Sequence, residues 1–189
     1  MKIIGLAGTF SSGKDTLAKF LTKKYGFVHI STSDIVRELS LEEFGSTDRK
    51  YLQIISNQYR EERGNDYFAA EAYNRYLKLS ESEQGSGLVI SGMRSVGEAH
   101  KVKDLGGKLV FVNAPIKLRY NRAKLRARDQ EVSSFEDFKA SEAKEWEANY
   151  GSETKHNLKG ISEISDIKLN NDGNLDKFLA EAELKLKLN

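Results

Sequence analysis

The 189-residue chain contains no cysteine, which rules out disulfide staples, thiolate catalysis and cysteine-based metal sites, and makes a reducing cytoplasm the expected setting. Its three histidines, His29, His100 and His156, have no metal-ligand spacing and none pairs with a candidate nucleophile. No apolar run approaches the roughly 18 residues needed to cross a bilayer. Met1-Lys2 leads into a short apolar strand instead of the longer stretch and cleavage site of a secretion signal, so neither membrane nor export is expected. Excess charge of one sign is also missing. Thirty basic against 28 acidic residues leave a net charge of +2, too little for general nucleic-acid affinity, so any cationic function must come from local clustering. What remains is 39% hydrophobic and 31% charged, the balance of a soluble globular chain, and its length fits one domain with a small inserted lobe.

The most informative segment is Gly8-Thr9-Phe10-Ser11-Ser12-Gly13-Lys14-Asp15-Thr16, which follows the apolar run Ile3-Ile4-Gly5-Leu6-Ala7. Glycines allow consecutive backbone N–H groups to turn around an anion, the next helix offers its positive end, and Lys14 reaches the β- and γ-phosphates. Leu17, Phe20 and Leu21 then recur at helical spacing, so the loop sits between a buried strand and a helix, the setting that a phosphate-binding loop requires. A bound nucleoside triphosphate is expected. The residue after Lys14 is Asp15, where the usual pattern has a magnesium-binding Ser or Thr, so Thr16 or Asp15 takes that role directly or through water.

Four more apolar stretches, Phe27–Ile30, Leu88–Ser91, Lys108–Asn113 and Asp166–Asn170, read as strands separated by helical or loop sequence. Strands alternating with helices predict a parallel sheet covered on both faces. Leu52, Ile55 and Tyr59 share one helical face and Ala69, Ala72, Tyr73 and Tyr76 another, which predicts two amphipathic helices broken near Gly64-Asn65. Pro115 introduces a helix carrying Arg119, Arg122, Arg126 and Arg128, a charged stretch from Asp129 to Tyr150 follows, and Leu175–Leu188 closes the chain as a helix.

Phosphoryl transfer needs held donor phosphates, an acceptor gripped by guanidinium groups, and cations for the migrating group. Arg37 and Arg94 each follow the carboxyl end of a strand, where open α/β sheets bind ligands, and their planar forks suit a phosphate; the alternative for either is a surface ion pair. Asp34 is suited to a magnesium-bound water or to an acceptor hydroxyl proton, or else to a helix N-cap. Arg122 and Arg126, four residues apart on one face, expect an anion between them; Arg119 and Arg128 stay open between that and a solvated face. Tyr67, Phe68 and Tyr73 suit either base stacking or core packing. The pattern Asp104-Leu105-Gly106-Gly107 hints at a GTPase, but no Asn-Lys-x-Asp guanine reader follows.

These segments resemble the P-loop nucleoside monophosphate kinases of the adenylate kinase and deoxynucleoside monophosphate kinase group, over nearly the whole chain. The Ser31–Arg37 string is similar to the segment whose arginine grips the acceptor phosphate, and Ile90–Ser95 to the one with a second acceptor arginine. The run from Pro115 to Arg128 resembles the lid entry, where Arg122 and Arg126 contact the donor nucleotide. Arg60 to Ala70, Val89 to Glu98 and Ser165 to Gly173 resemble an archaeal set of adenylate kinase-related predicted nucleotide kinases more closely still.

The resemblance implies a three-layer α/β/α P-loop NTPase core with a five-stranded parallel sheet over 1–34, 86–121 and 151–189. A helical acceptor-binding insert is implied at about 35–80 and a lid at about 122–150. It implies ATP held by Gly8, Ser11, Ser12, Gly13, Lys14, Asp15, Thr16, Arg122, Asn171 and Gly173, an acceptor held by Arg37 and Arg94, and Mg2+ served by Thr16, Asp15 and Asp34. Catalysis falls to Lys14, Arg94, Arg126 and Asp34, with transfer of the γ-phosphoryl group to a ribo- or deoxyribonucleoside monophosphate. Two departures stand out: Ser91 replaces the acidic residue usual there, and Ser141-Glu142-Ala143-Lys144 replaces the lid arginines. Dephospho-coenzyme A as acceptor, and a non-catalytic ATP-binding switch, are the alternatives.

Overall fold

The computed structural model describes residues 1–125, 134–147 and 156–188. Along the chain run β1 (Lys2–Gly8), α1 (Lys14–Tyr25), β2 (Val28–Ser31), α2 (Thr32–Phe44), α3 (Arg49–Arg63), α4 (Tyr67–Leu77) and β3 (Gly87–Ser91). Then come α5 (Val96–Asp104), β4 (Lys108–Asn113), α6 (Ile116–Leu125), α7 (Phe135–Glu147), α8 (Leu158–Ile164), β5 (Ile167–Asn170) and α9 (Leu175–Leu186). All five expected strands are present, the predicted insert helices break at Gly64-Asn65, and the closing helix forms.

The strands pair in parallel in the order β2-β3-β1-β4-β5. Successive side chains on a strand point to opposite faces, and here both sets are apolar, as a parallel sheet covered on both sides requires. Ile4, Leu6, Val89, Val110 and Val112 face α1 and α9, packing on Leu17, Leu21, Phe178 and Ala182. Ile3, Ala7, Leu88, Ile90, Leu109 and Phe111 face the opposite way, onto Ile35, Ile55, Phe68, Ala72, Ala99 and Ile161 of α2, α3, α4, α5 and α8. Burial of each such Leu, Ile or Phe contributes about 1.5–3 kcal/mol, which anchors the two helical layers to the sheet. Because β2 and β3 lie on one side of β1 and β4 and β5 on the other, the loops leaving the carboxyl ends diverge at β1. That is where doubly wound sheets open a crevice.

Candidate active site

The chain leaves β1 at Gly8, turns with Ser12 N–H donating to the Thr9 carbonyl at 3.3 Å, and enters α1 at Lys14. Gly13 holds φ 104°, a backbone geometry that side chains disfavour, and a Cβ there would stand 2.3 Å from Asn171 Nδ2. Ser11 and Ser12 are 3% and 0% exposed, and neither hydroxyl has a hydrogen-bond partner among the described residues. A buried hydroxyl left unpaired costs about 1–3 kcal/mol, so two in one turn at a helix N-terminus describe a cradle shaped for an anion. Lys14 and Thr16 are half-buried and Asp15 is exposed in the first turn of α1.

Asn171, 4% exposed just beyond β5, donates Nδ2 to the Ser12 carbonyl at 3.0 Å and accepts from Arg122 Nη2 at 2.9 Å through Oδ1. Arg122 Nη1 also reaches the Ser12 carbonyl, at 3.4 Å. The structure thus brings Arg122 and Asn171 together on the loop, with Gly173 two residues further on at φ 112°. Arg126 and Arg128 lie outside the described residues, as do residues 126–133 and 148–150 of the stretch expected to form the lid.

Across the crevice the cations already have carboxylate partners. Arg37 Nη1 donates to Asp34 Oδ1 at 2.6 Å, an i,i+3 pair at the start of α2, where Ser31 and not Asp34 is the N-cap. Arg94, in the turn after β3, pairs through Nη1 with Glu145 of α7. Arg119, open between anion contact and a solvated face on sequence grounds, does neither: it is 5% exposed, donates Nε to the Ala114 carbonyl at 2.7 Å and pairs with Glu142. Its place is structural, joining α6 to α7 over the ring of Phe138. Phe68 is fully buried in the core, which removes it from base stacking; Tyr67 and Tyr73 are half-buried. A cavity of about 330 Å³ lies beside the loop, between Thr9 and Asn113 at the strand ends and Arg119, Glu142, Glu145 and Trp146.

Three participants escaped the sequence reading. His29 Nε2 lies 2.7 Å from Ser91 Oγ; desolvation lowers its pKa, while Asp15 and Asp34 oppose the shift. His156 is held down to about 4, first by burial and then by the positive charges of Arg94 and Arg60, against Glu145 and Glu98. Glu98 is fully buried beneath Arg94. The two histidines depend on groups tens of residues away, for which a single sequence has no periodic signal, whereas Glu98 closes the Ser95-Val96-Gly97-Glu98 capping box, a pattern that sequence can show.

Among the described residues, no group of three or more His, Cys, Asp or Glu side chains is arranged to hold a metal ion. Of the oxygen donors expected to serve Mg2+, Asp15 and Thr16 lie in the first turn of α1 and Asp34 is paired with Arg37 on α2; Mg2+ keeps several waters and needs only one or two protein oxygens together with substrate phosphates, so Asp15 and Thr16 could hold it. Nor is any helix among the described residues long and apolar enough to cross a membrane.

A five-stranded parallel sheet in this order, with the glycine–lysine loop between β1 and α1, defines a P-loop NTPase fold. A family profile described as an AAA domain matches residues 4–147, more than half of the chain, and the chain belongs to that family. It is similar to the UPF0200/UPF0201 protein of Archaeoglobus fulgidus, 28% identical over 100% of this chain and 56% of that relative, so it spans about half the relative's length. It is also similar to the UPF0200 protein of Thermococcus kodakarensis, 28% identical over 97% of this chain and 94% of the relative. Archaeal relatives of this kind accord with the expected archaeal resemblance. Among solved structures, TT1252 from Thermus thermophilus matches at TM-score 0.60 and 21% identity, covering 99% and 97% of the two chains. A shikimate kinase from Bacteroides thetaiotaomicron matches at TM-score 0.56 and 17% identity, covering 98% of each. These likenesses concern the fold.

Proposed function

We propose that this chain is an ATP-dependent phosphotransferase that moves the γ-phosphoryl group to a nucleoside monophosphate. The observation that carries the proposal is the pair of buried, unpartnered hydroxyls of Ser11 and Ser12 in a turn that ends at Lys14 and a helix N-terminus. The triphosphate takes the bonds those groups lack, Lys14 neutralises its β- and γ-oxygens, and Arg122 with Asn171 flanks the nucleotide. Mg2+, served by Asp15, Thr16 and Asp34, supplies charge neutralisation at the phosphates when bound. Arg94 and Arg37 leave Glu145 and Asp34 to clamp the acceptor phosphate, the insert at about 35–80 covers it, and the region at about 122–150, with Arg126, closes from the other side. Catalysis is positioning and electrostatics, with no covalent intermediate.

A small acceptor other than a nucleotide is the second reading; it draws support from the fold shared with a shikimate kinase and from the cavity beside the loop. A regulatory switch is the third, supported by the carboxylates seated on Arg94 and Arg119. One coupled assay separates them. It pairs Mg-ATP with a panel of ribo- and deoxyribonucleoside monophosphates, dephospho-coenzyme A and shikimate, with Lys14→Met as the control. Selective turnover of a monophosphate is the expected result. ATP binding without turnover of any of them points to the switch.

A further inference from the structure

Arg60 to Ala70 and Val89 to Glu98 are two stretches that carry the archaeal resemblance, and the fold packs one on the other. Arg60, on α3, is 4% exposed and donates Nε and Nη2 to Glu98 Oε1 at 3.2 and 2.8 Å, with Nη1 on the Ser56 carbonyl at 3.1 Å. The other oxygen of Glu98 accepts from the backbone N–H groups of Arg94 at 2.7 Å and Ser95 at 3.2 Å. Ser95 Oγ accepts from Glu98 N–H at 3.2 Å, completing the cap of α5, and donates to the carbonyl of Asn65 at 2.9 Å. A Cβ on Gly97 would stand 2.6 Å from Asn65 Cβ, so the α3–α4 turn lies directly on the first turn of α5. On its other side, the Arg94 carbonyl accepts from Asn157 N–H at 2.8 Å.

Both backbone polar groups of Arg94 are therefore fixed, one of them by a carboxylate that is itself fixed from the insert. A buried ion pair is a weak source of stability, because desolvation offsets much of the attraction. Its geometry is the informative part. Glu98 turns one oxygen to Arg60 and the other to the main chain of Arg94, while Arg60 cancels a negative charge that would otherwise repel an anion held by Arg94. We infer that Arg60 and Glu98 are positioning residues. They set the main chain at Arg94 so that its guanidinium meets the acceptor phosphate, and they tie that arginine to the helical insert. This rests on the acceptor role proposed for Arg94.

Two double variants test it. Arg60→Met with Glu98→Gln keeps a carbonyl oxygen for the Arg94 and Ser95 amides; Arg60→Met with Glu98→Met keeps none. Both remove the two charges together, so no lone buried charge is left. Acceptor KM at saturating Mg-ATP is expected to stay near the parent value in the first and to rise roughly 10- to 100-fold in the second, the penalty of a small misplacement at a reacting site. ATP affinity, measured by calorimetry, stays equal in both, and hydrogen exchange across residues 93–98 accelerates only in the second. An unmoved acceptor KM in the second variant, or a parallel loss of ATP and acceptor affinity, overturns the proposal. If that variant does not fold, Arg60→Lys decides instead, since an ammonium replaces the fork: a severalfold higher acceptor KM upholds the proposal and an unchanged one overturns it. A parent protein that turns over no acceptor defeats the proposed function and this inference with it. Parent activity with an unmoved KM defeats the inference alone.

Discussion

At the glycine loop, Ser11 and Ser12 hold buried hydroxyls with no partner, whereas across the crevice Arg37, Arg60, Arg94 and Arg119 each meet a carboxylate, of Asp34, Glu98, Glu145 and Glu142 respectively. On the proposed function the first arrangement is a site built in advance, where two unpartnered hydroxyls beside a helix end offer bonds to an arriving triphosphate. On the same proposal the second is an exchange site at Arg37 and Arg94, where a phosphate displaces a carboxylate, beside a structural lock at Arg60 and Arg119, where the guanidinium is buried. Exposure separates the two kinds of arginine: side chains of Arg37 and Arg94 are 46% and 27% exposed, those of Arg60 and Arg119 4% and 6%. Donor affinity is thus expected to be robust and acceptor affinity to be sensitive to salt and to single charge changes.

The most severe break of this contrast is Lys14→Met. With the charge at the β- and γ-phosphates gone, turnover is expected to fall at least about 1,000-fold while the melting temperature stays within a few degrees, since Lys14 is only half-buried. Steady-state kinetics and calorimetric melting together check it; retained turnover removes the loop from the chemistry. Next comes Arg94→Ala, which deletes a charged clamp worth about 1.5–3 kcal/mol, or roughly 10- to 100-fold. The loss should fall on acceptor KM and kcat/KM, with ATP affinity nearly untouched. Equal loss for both substrates would merge the two sides of the crevice into one.

Most of the frame and the glycine–lysine turn between β1 and α1 were visible in sequence because both are local. Alternating strands and helices announce themselves by period, the break at Gly64-Asn65 by composition, and the loop by contiguous glycines and Lys14. The acceptor half was harder. Arg119 was left open between anion contact and a solvated face, and it is consumed by Glu142, 23 residues on, within the stretch read as lacking the lid arginines. Arg94 was placed correctly at a strand end, but its partner Glu145 comes from α7, 51 residues on, and no periodicity connects them; its anchor Glu98 is only four residues away, in the Ser95-Val96-Gly97-Glu98 capping box, a local signal that the sequence reading passed over. Phe68 was ambiguous for the same reason: helical spacing marks a face, and only the fold shows that this face meets the core. The Asp34–Arg37 pair, by contrast, is a simple i,i+3 relation on α2 and matched the ion-pair alternative.

The surroundings of Arg94 and Arg60 also carry the clearest pH signature. His156 is held at about 4 in the folded protein against 6.5 for an ordinary histidine, by burial and then by Arg94 and Arg60. As pH falls through 6.5 the unfolded chain takes up this proton first, so the group subtracts stability progressively between about 6.5 and 4 and has no effect above that window. The full shift corresponds to about 3 kcal/mol, an upper bound because the side chain is partly solvated. Urea unfolding at pH 7.5 and 4.5, compared between the parent and His156→Gln, isolates the contribution. The variant should lose less stability on acidification, and equal losses would place His156 outside the Arg94 network.

The smallest expected effect bears most directly on the exchange idea. Glu145→Gln removes the charge, not the shape, of the group seated on Arg94, and a partly exposed pair of this kind contributes about 0.2–1 kcal/mol. If the phosphate must displace that carboxylate, weakening the pair lowers acceptor KM by up to roughly fivefold and leaves ATP affinity alone. The same substitution should steepen the dependence of acceptor KM on ionic strength, since phosphate binding then gains an ion pair without losing one. A rise in acceptor KM would reverse the comparison: Glu145 would then orient Arg94 for the phosphate instead of competing with it. The acceptor side would have to be regarded as no less preorganised than the donor side, with α7 as one of its walls.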